Sequence, residues 1–249
     1  MSGHSKWSTI KRKKGAADAK RGKIFTKLIR EIATAARMGG GDADANPRLR
    51  LATEKARAAN MPKDNIERAV RKGVGGDEGL AYEEVVYEGY GPGGTAIYIE
   101  ALTDNKNRTV GEVRHVLAKH GGNLGASGCV AYLFDKKGIL TFEVEGGGSD
   151  ALLEAALEAG ADDALESGAS LDVITAPTDF EGVKAALSDS GFEPSHAEIT
   201  MQPSTTVKLE GKQAEAMLRM ADALDDLDDV QAVHANFDIS EEEMARLAS

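Results

Sequence analysis

Residues 95–120 read TAIYIEALTDNKNRTVGEVRHVLAKH, and the change of period inside this stretch decides the class of fold. Residues 95–102 are a short apolar run of strand length, rich in β-branched and aromatic side chains. From 109 to 120 the apolar positions Val110, Val113 and Leu117 recur at helical spacing, Thr109 and Glu112 form a capping box, and Gly121 supplies the stop. A strand followed by a capped helix places the protein among α/β or α+β folds. Downstream the alternation continues, with strand-like runs at 129–134 and 139–144, a helix over 150–159, a strand over 171–175 and a helix over 178–188. Strands at 197–201 and 207–209, a helix over 212–227 and a strand over 230–237 follow. The simplest partition makes residues 139–201 a ferredoxin-like β-α-β-α-β module. It is inserted into an α/β domain built from residues 80–135 and 205–240, and 241–249 forms a tail.

Upstream the pattern is helical. Over residues 23–38 the side chains of Ile24, Phe25, Leu28, Ile29, Ile32, Ala35 and Ala36 fall on one side of a helix. Lys23, Lys27, Arg30 and Arg37 fall within an arc of about 80° on the other, which places these cations toward solvent. Gly39, Gly40 and Gly41 end it. A second helix opens at Asn46-Pro47 and a third at Pro62, the latter carrying Ile66, Ala69 and Val70 up to Gly73. Gly75, Gly76 and Gly79 read as a linker. Residues 1–78 are thus a small all-α domain, and the whole chain is a multi-domain α+β protein.

Charge divides the chain in the same place. Its net value is −11, yet residues 1–72 hold 19 Lys+Arg against 7 Asp+Glu (+12), and residues 73–249 hold 11 against 34 (−23). A basic third inside an acidic protein is a localised surface for a polyanion, because phosphates attract Lys and Arg whatever the base sequence. The candidate phosphate contacts are Lys6, Lys11, Arg12, Lys13, Lys14, Lys20, Arg21, Lys23, Lys27, Arg30 and Arg37, with Trp7 placed to stack on a base or to pack the arm onto the domain. Tyr87, two residues before the glycine-rich loop 89–95, Tyr90 within it, and Asn105 and Arg108, in the turn before the first-quoted helix, are candidate further contacts. The cations of residues 23–37 suit phosphates rather than base edges, so direct sequence readout gains no support. The acidic run Asp222, Asp225, Asp226, Asp228 and Asp229 reads as a solvated helix end; docked on the basic domain instead, it would compete with a polyanion.

Other chemistries are poorly supplied. The five histidines include one close pair, His115 and His120, whose spacing of five puts them on different helical faces rather than at the positions of a zinc pair. Cys129 has no partner for a disulfide and no nearby cation to activate it, so a small core residue in a reducing cytosol is the expectation. The loop 89–95 lacks the Gly-Lys-Ser/Thr of a phosphate-binding Walker loop and reads as a tight turn between domains. No stretch of apolar residues is long enough to span a membrane, and no secretory leader is read. No metal, cofactor or small-molecule substrate is expected, nor an enzyme.

Seven stretches give the chain a close resemblance to a known family: Gly3-His4-Ser5-Lys6-Trp7, Lys23-Ile24-Phe25, residues 60–66 (NMPKDNI), residues 87–94 (YEGYGPGG), residues 101–105 (ALTDN), Asn107-Arg108-Thr109, and Gly121-Gly122-Asn123-Leu124. The chain resembles the YebC family over nearly its whole length, departing at Cys129, where a serine is usual, and at Tyr132, where a tryptophan is usual. The resemblance implies a helical N-terminal domain followed by two α/β domains, the third inserted in the second, and it implies no catalytic residues. Two functions are implied. Members carry the label of DNA-binding transcriptional regulators, while a mitochondrial branch activates translation of cytochrome c oxidase and bacterial members are connected with ribosomes that stall. The partner is then double-stranded DNA or ribosomal RNA, with the ribosome as a further partner in the second case; a protein-interaction scaffold is the third alternative.

Overall fold

The computed structural model describes residues 18–75, 82–144, 149–167 and 170–248. Its elements run in the order three helices, then a mixed α/β region with a second α/β region inside it, and the class is α+β as the sequence indicates. Two compact units are present: residues 132–204, and the remainder of the chain on either side of them.

In the larger unit the helices α1 (Asp18–Gly39), α2 (Pro47–Ala58) and α3 (Lys63–Val74) enclose a small core of Ile32, Ala35, Ala36, Leu49, Ala52, Ala56, Met61, Ile66 and Ala69. Asn46 joins the first two. Its Oδ1 accepts the Leu49 N–H (3.1 Å) as an N-cap, and its Nδ2 donates to the carbonyls of Ala35 (2.8 Å) and Gly40 (2.9 Å). Helix α1 is longer than the spacing of its apolar residues indicates, so Lys20 and Arg21 lie on it rather than on an arm. Lys6, Trp7, Lys11, Arg12, Lys13 and Lys14 lie outside the described residues. Helix α3 crosses α1 at Gly73, where a Cβ would stand 2.3 Å from the Ala33 carbonyl oxygen and 2.8 Å from the Ala36 Cβ. Helix propensity alone would make Gly73→Ala stabilising by about 1 kcal/mol. The backbone contact decides the sign, and the variant is expected to lose about 1–2 kcal/mol as the helices are pushed apart. Chemical denaturation checks this; an unchanged or more stable variant would refute the tight crossing.

The α/β part of this unit corrects the sequence reading in several places. The stretch around Tyr87 and Tyr90 is strand β1 (Glu83–Tyr90), paired antiparallel with β2 (Ala96–Thr103) in a hairpin, so the glycine-rich loop is a turn within a sheet rather than a junction between domains. Gly93 and Gly94, at φ +70° and +78°, make that turn. Helix α4 (Lys106–Lys119) starts three residues earlier than expected, because Asn105 and not Thr109 is its cap: the Asn105 Oδ1 accepts the Arg108 N–H at 3.1 Å. The short β3 (Asn123–Leu124) pairs with β1. Beyond residue 204 come β8 (Val207–Lys208), α7 (Gly211–Asp225), β9 (Val230–Ala235), β10 (Phe237–Asp238) and α8 (Glu241–Ala248). The sheet order is β3-β1-β2-β9, with β8 and β10 forming a separate parallel pair. Ile97 and Ile99 of β2, Val113 and Leu117 of α4, and Met217, Met220 and Leu224 of α7 form its core. Residues 241–248 are a helix rather than a tail, and Met244 is buried in the same core.

The smaller unit contains β4 (Phe134–Glu143), α5 (Ser149–Glu158), β5 (Asp163–Ser167), β6 (Ser170–Thr175), α6 (Phe180–Asp189) and β7 (His196–Pro203). Its sheet, in the order β5-β6-β4-β7, is antiparallel throughout. This is the ferredoxin-like β-α-β-β-α-β arrangement, with one strand, β5, that the sequence reading lacks. Its first strand begins at Phe134 and not at residue 139, so residues 134 and 135 belong to this sheet. Cys129 is in the preceding loop, and residues 131–133 form a turn of 3-10 helix rather than a strand. The unit closes where the Ser204 N–H donates to the Leu133 carbonyl at 2.8 Å.

Candidate nucleic-acid interface

The basic stripe of α1 is only partly turned to solvent: Lys23 and Arg37 are exposed, whereas Lys27 and Arg30 are half-buried, which corrects the outward placement of those two cations. Lys23, Lys27 and Arg30, at helical spacing, meet the end of α7 and the turn after it. Lys23 Nζ donates to the Asp226 carbonyl at 3.0 Å, with the Asp226 carboxylate at 3.8 Å. Lys27 Nζ lies 2.5 Å from the Asp225 carbonyl and 3.3 Å from its Oδ1. Arg30 donates through one nitrogen to the Asp228 carbonyl and to Asp229 Oδ1, both at 2.6 Å, and its guanidinium lies 5.3 Å from the centre of the Tyr82 ring. The last carbonyls of a helix carry the negative end of its dipole, so three cations there satisfy both the carbonyls and the carboxylates. The Lys27 and Arg30 side chains are left only 13% and 15% exposed, against 46% for Lys23.

Asp229 is the centre of this arrangement, its side chain 2% exposed. Oδ1 is held by Arg30, and Oδ2 accepts from Arg108 (2.7 Å), Thr109 Oγ1 (2.7 Å) and Thr103 Oγ1 (3.1 Å). Burial alone would push this carboxyl up; the hydrogen bonds from Arg108, Thr109 and Arg30 outweigh burial and hold it below the ordinary value. Arg108 also reaches Asp104 at 2.7 Å, and Arg48 of α2 pairs with Glu31 (2.7 and 3.0 Å) and Glu84 (2.5 Å).

The other expected contacts divide as follows. Tyr87 is buried, its hydroxyl donating to the Lys106 carbonyl at 3.3 Å, so its ring is not available for stacking on a base. The half-buried Tyr90 donates to the Cys129 carbonyl at 3.1 Å. Asn105 is the α4 cap, and Arg108 belongs to the Asp229 cluster, although both remain exposed at the surface. Arg21 and Arg37 are exposed. Residues outside the expected set complete the surface: Arg57 of α2 and Arg68, Arg71 and Lys72 of α3 are exposed, and Lys55 is half-buried. Among the described residues, Arg37, Lys55, Arg57, Arg68, Arg71 and Lys72 make no ion pair. The signal for the α3 group was present in its spacing, since positions 68, 71 and 72 lie opposite the buried Ile66, Ala69 and Gly73.

Among the described residues no group of three or more His, Cys, Asp or Glu is placed to hold a metal ion, and no described helix is long and apolar enough to cross a membrane. Comparison with known proteins gives a consistent picture. Residues 5–76 match the TACO1/YebC protein N-terminal domain, and residues 82–237 match the TACO1/YebC second and third domain. A probable transcriptional regulatory protein of Geobacter sp. (strain M21) is 62% identical over 247 residues, covering 99% of this chain and 100% of the relative. Its counterpart from Geobacter sulfurreducens is 59% identical with the same coverage, and that from Magnetococcus marinus is 55% identical over the full length of both chains. The crystal structure of a conserved hypothetical protein from Aquifex aeolicus has a TM-score of 0.82 at 50% identity, covering 90% of this chain and 93% of that one. With both family domains matched in order and the same architecture found at half identity, the chain belongs to the TACO1/YebC family.

Proposed function

We propose that this protein is a non-enzymatic regulator of gene expression that binds nucleic acid, gripping phosphates through its basic N-terminal domain. The observation that carries the reading is the charge of +12 in residues 1–72 of a chain whose net charge is −11. An acidic remainder repels a polyanion and orients its approach onto the helical domain. The relatives' name, probable transcriptional regulatory protein, supports a regulator acting on DNA. The Lys6–Lys20 segment adds to the same positive field, and Arg37 presents its charge at the surface. Lys23, Lys27 and Arg30 are available to phosphates only in so far as Asp225, Asp226 and Asp229 release them.

Fluorescence anisotropy with labelled duplex DNA and with a structured RNA, titrated between about 0.05 and 0.2 M salt, tests this. Each phosphate contacted contributes about 0.9 to the slope of log affinity on log salt for a duplex, so three to six contacts give a slope of about −3 to −5. Absence of binding to either nucleic acid at the lowest salt would overturn the reading. Binding to RNA alone would transfer the same grip to a ribosome-associated role.

A further inference from the structure

We infer that the surface that meets the phosphodiester backbone of duplex DNA is the outer face of α3, formed by Arg68, Arg71 and Lys72, and not the longer cationic stripe of α1. The inference deepens the proposed function and rests on it. Its ground is the contrast between two basic helical faces of one domain. On α1 the cations at 23, 27 and 30 already have anionic partners in the chain itself, namely the carbonyls and carboxylates at the end of α7. A phosphate there would have to displace Asp225 and Asp229, and the Asp229 carboxylate would lose one of its two guanidinium partners while remaining buried. On α3 nothing has to be displaced, for Arg68, Arg71 and Lys72 are exposed and make no ion pair among the described residues.

The face is also well shaped for the purpose. At 100° per residue the three side chains fall within an arc of about 100° on the side of the helix away from Ile66, Ala69 and Gly73. The same rotation brings Asp64 onto this arc, but one turn earlier, at the start of the helix; Glu67, on the flank, is paired with Lys63 at 3.6 Å. Asp64 and Glu67 stand one turn before Arg68 and Arg71, yet among the described residues neither forms an ion pair with them, so the last two turns keep three unpaired cations against these two carboxylates. Residues 47–75 as a whole hold eight Lys+Arg and three Asp+Glu. The alternative account of Arg71 and Lys72 is that they complement the dipole at the end of α3. Arg68, a full turn earlier, has no such role, and the two accounts predict different results on charge removal.

The test replaces Arg68, Arg71 and Lys72 together by Gln, which keeps helix propensity close to its original value. A control of equal charge change carries Arg114→Gln, Lys119→Gln and Arg219→Gln in the α/β region, all exposed positions. Full-length proteins are compared on duplex DNA by anisotropy against salt, with thermal unfolding recorded for each. The α3 variant is expected to unfold like wild type, to lose about two powers of ten in affinity near 0.1 M salt, and to have a salt slope shallower by about 2 to 3, while the control binds like wild type. Equal binding by the α3 variant, or an equal loss in the control, would overturn the inference while leaving nucleic-acid binding intact. A wild type that binds no nucleic acid fails the proposed function itself. A wild type that binds structured RNA and not duplex DNA overturns the choice of partner. Should the triple variant unfold, Arg68→Gln alone is read in the same way, with a slope shallower by about 1 as the expected result.

Discussion

Asp229→Ala is expected to lower the stability of the larger unit by about 3 kcal/mol, because it removes the shared acceptor of four donors and leaves Arg30 largely buried with only the Asp228 carbonyl and the Tyr82 ring beside it. For a protein of this size that corresponds to a fall in melting temperature of about 6–12 °C in the transition of that unit. The transition of the 132–204 unit, which has its own core, is expected to stay in place. Asp229→Asn retains an acceptor and an equal volume but loses the charge, so its loss should be smaller. The pH dependence has a definite sign. A carboxyl depressed in the folded state contributes stability that is fully present above its unfolded value, near 3.8, and is lost as the pH falls through the lower folded value. Calorimetry of wild type and the Ala variant between about pH 2.5 and 7 should therefore show the two curves converging in acid. An Ala variant as stable as wild type at neutral pH would show that the cluster contributes nothing to the fold.

The second large effect is expected at Glu88, whose side chain is buried on β1. One carboxylate oxygen accepts the Gly128 N–H at 2.6 Å and the other accepts those of Val130 and Ala131, both at 2.8 Å. Burial pushes this carboxyl up, and the three amide donors prevail and hold it below the usual range. In Glu88→Ala three backbone donors lose their acceptor, at a cost of about 1–3 kcal/mol for each that water fails to reach. The expected result is a loss of about 3 kcal/mol, together with fast hydrogen exchange at the amides of 128, 130 and 131. Glu88→Gln should fall between, since its amide group would present a donor to a donor on one side. Unchanged protection of those three amides in the Ala variant would disprove the anchoring role. As with Asp229, the contribution is lost as the pH drops below about 4.5, so removal of Glu88 flattens the acid limb of the stability curve.

The elements set by local signals were legible in the sequence and those set by distant partners were not. Helix α2 carries its own cap at Asn46, α3 opens after Pro62 and closes at Gly75, and strand β2 has an apolar run of its own. Strand β1 was hidden because its outward positions hold Glu84, Val86 and Glu88, and the burial of Glu88 depends on amides about 40 residues further on. The start of α4 was misplaced because two residues of its turn suit a cap; Thr109 lost that role to Asp229, 120 residues away. The stripe of cations on α1 was readable as a stripe, and so was the acidic run near residue 225. That the two meet follows from the packing of α1 beside the end of α7, which no local pattern encodes. The cations of α3, by contrast, are legible in their spacing, although the denser run of charge before residue 38 is the stronger local signal.

The docking of α1 on the end of α7 joins residues 198 to 203 positions apart. The helical domain has its own core, made entirely of residues before position 70, so it can fold while the rest of the chain is still being made. At about 5–20 residues per second, its cations wait about 10–40 s for their carboxylates to emerge. A nascent copy therefore presents Lys23, Lys27 and Arg30 bare, and a finished copy presents all three paired and the last two largely covered: the molecule is a stronger polycation in its youth than at maturity.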